Sequence, residues 1–237
     1  LAYMDIKNGI IDSRLKEGLY MYLTNEYIEE SLTSLHIAVR KGNFDIIKLL
    51  LNSSYIDLNI KSTKCYKIKY GMQVDIQRYL VITENKTLLH EALESGYIDI
   101  FQCLFENKNI DVNGKLLINS KFTDFISTAK NYYENNEEIP LINYVIEKGS
   151  VDVIKLLLSD PRVNINVKSI SNINSGGGCM AYESSFEKVE KTPLYFAIEK
   201  NNFEVVQMLL NHPRIYIYFQ SLCYIDEPSG KSTFSSQ

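Results

Sequence analysis

The sequence has no run of apolar residues longer than a few positions. A helix that crosses a bilayer needs about 20, so no membrane insertion is expected, and the opening LAYMDIKNGI lacks the basic-then-apolar order of a secretory signal. There is no surplus of positive charge: 25 Lys and Arg stand against 29 Asp and Glu, a net of −4. Phosphate backbones are held by clustered cations, which argues against nucleic acid as the main partner. Close cysteine pairs are missing too. Cys65, Cys103, Cys179 and Cys223 form no CxxC, so neither a metal nor any other cofactor is expected, and a reducing, intracellular setting is.

What the chain does have is repetition. DIIKLLL starts at Asp45, DIFQCLF at Asp99, DVIKLLL at Asp152 and EVVQMLL at Glu204, in steps of 54, 53 and 52 residues. Upstream lies a second phrase: TSLHIAVRKGN from Thr33, TLLHEALESGY from Thr87, IPLINYVIEKGS from Ile139 and TPLYFAIEKNN from Thr192. Downstream lies a third: IDLNIKS from Ile56, IDVNGKL from Ile110 and VNINVKS from Val163. In the upstream phrase Thr33, Thr87 and Thr192 are N-caps, their hydroxyls accepting from a free N–H of the first turn. Pro193 sits where a missing N–H does no harm. Gly42, Gly96 and Gly149 stop the helix at positive φ, with Asn201 and Asn202 in that place in the fourth copy. The acids that open the next phrase suit a helix N-terminus, and the apolar residues behind them cover most of the helix circumference, which requires burial on more than one side. Such short helices are marginal alone. They must pack on the next copy, in a one-dimensional stack.

The phrases TSLHIA from Thr33, TLLHEA from Thr87 and TPLYFA from Thr192 closely resemble the T-P-L-H-x-A signature of ankyrin repeats. The turn glycines and the D-x-N at 57–59 and 111–113 fit as well. The resemblance covers roughly residues 33–218. It implies an all-α, ankyrin-like helical solenoid whose repeats are joined by extended hairpins or loops, the fingers. The period is about 53 where the family has about 33, and the surplus of roughly 20 residues falls in those fingers. Copy three has Ile139 and Asn143 for Thr and His, and copy four has Tyr195 for His. A Thr–His network between repeats should be weaker there and local opening easier. The units are 33–86, 87–138 and 139–191, each with its finger, then 192–218. Residues 1–32 read as the tail and finger of a preceding, truncated repeat, and 219–237 as the start of another finger or a disordered tail. The chain reads as cut from a longer array. The fingers share no sequence, so each is free to pair as strands, fold back over a helix or stay disordered.

Chemistry competes poorly with structure. His36 and His90 occupy one repeat slot beside a capping Thr, which favours a structural hydrogen bond over catalysis. Cys103 takes the place of Leu49, Leu156 and Met208 and reads as core. Gly230-Lys-Ser-Thr has Ile225 where a phosphate loop needs Gly. Gly176-Gly-Gly178 reads as a flexible finger tip where replacing Gly177 should change little. No catalytic residue is expected.

In ankyrin arrays the first helices and the fingers line a concave groove. By that resemblance the two residues before each turn, Arg40-Lys41, Glu94-Ser95, Glu147-Lys148 and Glu199-Lys200, project toward a partner. Their charge runs from basic through acidic to mixed, which suits one particular protein better than a uniform polymer. The expected function is a monomeric, non-catalytic scaffold that binds another protein; the alternative is a targeting arm of a longer enzyme or effector.

Overall fold

The computed structural model of the chain describes residues 22–53, 55–71, 76–126, 129–176, 185–216 and 223–226. The expectations for residues 1–21, Gly177, Gly178 and Gly230 lie outside these. Four helix pairs occur among the described residues: α1 (Ser34–Arg40) with α2 (Phe44–Leu51), α3 (Leu88–Glu94) with α4 (Ile98–Glu106), α5 (Leu141–Lys148) with α6 (Val151–Ser159), and α7 (Pro193–Glu199) with α8 (Phe203–Leu210). Thr33 and Thr192 cap α1 and α7 by accepting from the N–H three residues on. Thr87 makes no such bond. Gly42, Gly96 and Gly149 hold φ of +69°, +75° and +76°, and Asn201 fills the fourth turn at +53°. At Gly42 a side chain is barred twice over, because a Cβ there would lie 2.5 Å from the Tyr97 ring.

One apolar core runs through all four pairs. Ile47, Phe101, Ile154 and Val205 come from successive second helices, and Leu35, Leu89, Val145 and Ala197 from successive first helices. The first helices pack in order, α1 on α3, α3 on α5 and α5 on α7.

The all-α expectation is overturned. The fingers form β1 (Tyr22–Ser31), β2 (Ser62–Gly71), β3 (Ile76–Lys86), β4 (Lys115–Ile126), β5 (Ala129–Pro140), β6 (Ser169–Gly176), β7 (Ser185–Lys191) and β8 (Cys223–Asp226). These join one eight-stranded sheet in chain order, antiparallel throughout. The molecule is mixed α and β. The physical reason is commensurate spacing. Strands lie about 4.8 Å apart, so a hairpin advances about 9.6 Å, and packed helices are 8–10 Å apart. Each helix pair therefore delivers its hairpin beside the next, and separate fingers become one sheet.

The sheet face toward the first helices alternates into burial. Leu80, Ile82, Leu116, Ile118 and Ile139 form a second core with Tyr144 of α5. The opposite face carries cross-strand ion pairs, Lys67–Glu29 at 3.1 Å, Lys121–Glu134 at 3.0 Å and Lys115–Glu138 at 2.7 Å. Gly176, expected at a flexible tip, lies in β6 where a Cβ would meet the Tyr132 ring at 2.8 Å.

Candidate partner-binding face

The residues before each turn do not share one environment. Arg40, two before Gly42, is half-buried and turned into the array. Its Nε and Nη2 each donate to the Glu91 carboxylate of α3 at 2.8 Å, and Nη1 to Glu30 of β1 at 2.6 Å. Glu91 also accepts from Ser62 Oγ at 2.5 Å. Burial pushes the Glu91 carboxyl up, but the Arg40 guanidinium and the Ser62 hydroxyl outweigh it and hold the group below its ordinary value. Glu94, the same slot one repeat on, accepts from Lys86 Nζ at 2.8 Å and from the Tyr144 hydroxyl. Burial and the Glu94 carboxylate raise the Tyr144 hydroxyl far above its ordinary range. Glu199 accepts from Lys191 Nζ at 3.1 Å. Glu147, half-buried, has no hydrogen-bond or ion-pair partner among the described residues.

The neighbouring slot, one before the turn, behaves differently. Lys41, Lys148 and Lys200 are exposed and Ser95 is half-buried. The Lys148 ammonium lies 5.1 Å from the centre of the Tyr144 ring. Four of the eight candidates are thus engaged within the chain, Arg40, Glu94 and Glu199 by hydrogen bonds and Lys148 over the Tyr144 ring, and the Lys slot is the more open row.

The partner of that inner row was missed from sequence. Ile37, Glu91, Tyr144 and Phe196 stand five residues before Gly42, Gly96, Gly149 and Asn201 respectively. This slot of one repeat meets the Arg40/Glu94 slot of the repeat before it. The slot varies from apolar to acidic to aromatic, so periodicity alone did not expose it.

His36 and His90 are fully buried. Each Nδ1 lies 2.7 Å from the hydroxyl of Thr33 or Thr87. The Thr33 N–H also donates to His36 Nδ1 at 3.3 Å, which makes that nitrogen an acceptor and puts the proton of a neutral ring on Nε2. These bonds stay inside one repeat, so they do not form the inter-repeat network expected of them. Burial, then the charges of Lys86 and Lys61, brings the His90 pKa down to about 3. The unfolded chain takes up this proton near pH 6.5, whereas the folded one refuses it down to about 3. Folding stability is therefore intact above pH 6.5 and falls on acidification, by about 1.4 kcal/mol per pH unit for His90 alone. Denaturant titrations at pH 7 and pH 5 should differ by about 2 kcal/mol from this residue, and His90→Asn should remove that share. Equal stability at both values would contradict a neutral buried imidazole.

Across the loops that follow the second helices runs an asparagine ladder. Asn59 Nδ2 donates to the Asn109 carbonyl at 2.9 Å while its Oδ1 accepts from the Asp111 N–H at 2.8 Å. Asn113 does the same to Arg162 and Asn164, at 2.9 and 2.8 Å, and Asn166 to Arg214 and Tyr216, at 2.7 and 2.8 Å. The Asn that closes each phrase, D-x-N in the first two copies and Asn164-Ile-Asn166 in the third, thus ties its repeat to the backbone of the next. Asn113→Ala should cost about 1–2 kcal/mol by freeing one donor and one acceptor; an unchanged denaturation midpoint would remove the ladder as a brace.

Among the described residues no group of three or more His, Cys, Asp or Glu is placed to hold a metal ion, and no helix is long and apolar enough to cross a membrane. A family model described as "Ankyrin repeats (3 copies)" matches residues 6–116 and again 114–220. The chain belongs to the ankyrin repeat family. Two ankyrin repeat proteins of fowlpox virus (strain NVSL) are similar to it. One, FPV022, is 27% identical over 191 residues, covering 75% of this chain and 31% of the relative. The other, FPV031, is 26% identical over 211 residues, covering 89% of this chain and 44% of the relative. The chain thus spans less than half the length of either. No solved structure matches. Ankyrin repeats suggest a protein-interaction module, and the long fingers of this member add a sheet to the usual helix pairs.

Proposed function

We propose that this ankyrin repeat chain is a non-catalytic scaffold that holds another protein against its first helices and the adjoining sheet. The units are 33–86, 87–138, 139–191 and 192–218, working as a monomer in an intracellular setting. The supporting observation is the division of labour before each turn. Arg40, Glu94 and Glu199 are bonded within the array, while Lys41, Lys148 and Lys200 recur one residue later with their side chains in solvent. Fixed backbones carrying exposed cations at these turns lose little ordering entropy on association, and they fit an acidic segment of a partner.

The test is capture from the native cells with the Lys41→Glu, Lys148→Glu, Lys200→Glu triple variant. The comparison is a Lys108→Glu, Lys155→Glu variant, whose exposed lysines lie beyond and on the second helices. Loss of a partner in the first variant alone supports the reading. Equal capture by both variants would sink it.

A further inference from the structure

Neighbouring repeats are bonded across at two places, an inner one where the first helices meet the sheet and an outer one in the loops after the second helices. At the first junction the inner side holds the Arg40–Glu91 pair. The outer side there has the Asn59 ladder, and Asn109 stands in the slot that Arg162 and Arg214 fill later, with no guanidinium to reach back across the junction. At the second junction the inner side has Tyr144 to Glu94. The outer side gains Arg162, whose Nη2 and Nη1 donate to the Phe105 and Asn107 carbonyls at 2.7 and 3.2 Å. At the third junction the inner slot holds Phe196, which has no polar atom to offer Glu147. Asn143 reaches only Ser169 at 2.8 Å and the Lys191 carbonyl at 3.4 Å, both in the third finger.

The outer side of that junction is the densest of the three. Arg214 donates to the carbonyls of Asp160, Pro161 and Val163 at 3.0, 2.9 and 3.0 Å. His212 Nε2 lies 3.0 Å from the Leu158 carbonyl, and Lys155 pairs with Glu204 at 3.1 Å.

We propose that the third junction is a one-sided hinge. The fourth helix pair swings about its outer loop and opens the inner side between α5 and α7, while the first junction is stapled on that inner side and stays shut. The bonds around Arg214 and Asn166 are short and gathered between two adjoining loops, so they survive a small rotation. Between α5 and α7 the inner side offers apolar contact alone among the described residues, with no hydrogen bond or ion pair to hold it, and this contact gives way first. This inference does not rest on the partner reading.

Hydrogen exchange of the full chain, read by mass spectrometry, tests it. In the wild type, amides of β7 and α7 should exchange faster than those of α8 and residues 211–216 in the same repeat, and faster than those of β3 and α3. Phe196→Tyr sets a hydroxyl opposite Glu147, as Tyr144 sets one opposite Glu94, and should slow α7 and β7 about tenfold while leaving α8 unchanged. Arg214→Ala should release α8 as well. If α7 and α8 exchange together in the wild type, the repeat frays or holds as a whole and the hinge is wrong. That comparison within the unaltered protein decides the matter even where Phe196→Tyr fails to fold.

Discussion

Arg40→Ala should destabilise the chain by about 3–5 kcal/mol, far more than an exposed salt bridge accounts for. The reason lies on Glu91, whose side chain is only 3% exposed. In the folded protein its carboxylate is held by two guanidinium bonds and the Ser62 hydroxyl. Removing the guanidinium leaves a buried negative charge with one hydroxyl for company. Removing both partners is a different experiment: Arg40→Met with Glu91→Leu takes away the charge together with its counter-charge, and such swaps are often near neutral. A double-mutant cycle in denaturant should therefore show strong coupling between the two sites. Should Arg40→Ala cost under about 1 kcal/mol, water reaches Glu91 and the pair is no clamp.

That pair also marks the limit of what could be read from the chain. The helices were legible because their signals are local. Thr33 and Thr192 cap, Gly42, Gly96 and Gly149 turn, and Asn201 takes the same left-handed conformation as the glycines it replaces. The sheet was not, because the fingers share no sequence and the bonds that join them are backbone bonds, blind to side-chain identity. Alternation such as Leu116, Ile118, Ser120 tells of a strand with one buried face, not of which hairpin lies beside it. The row before each turn was located, but not which of its residues bond within the array. A charged residue at a repeat slot is free or engaged according to a neighbour about 50 positions away, and the neighbouring slot changes from Ile37 to Glu91 to Tyr144 to Phe196. The asparagine ladder did leave a trace: Asn59, Asn113 and Asn166 recur in register. An Asn kept in phase suggests a bidentate bridge to backbone, because its amide offers one donor and one acceptor side by side.

Leu157→Ala should cost about 2–5 kcal/mol, the range for a large core residue truncated in a site that cannot collapse. Leu157 lies in α6 at 0% exposure, and its repeat equivalents Leu104 and Leu209 are equally buried. All three belong to the same core, which runs on through the first helices on either side. The cavity would therefore open between helices fixed by the neighbouring repeats and by the sheet, with little freedom to close it. Because core and sheet join all four helix pairs, the loss should lower the urea midpoint without changing the slope, as one cooperative unit does. A shallower slope would mean that the third and fourth repeats detach and unfold by themselves, as weakly coupled repeats can. Lys155→Ala, on the same helix with its side chain 55% exposed, should move the midpoint by no more than about 0.5 kcal/mol. If both variants gave a shift of that small size, Leu157 would not be core, and packing of helix pair on helix pair would fail as the source of stability.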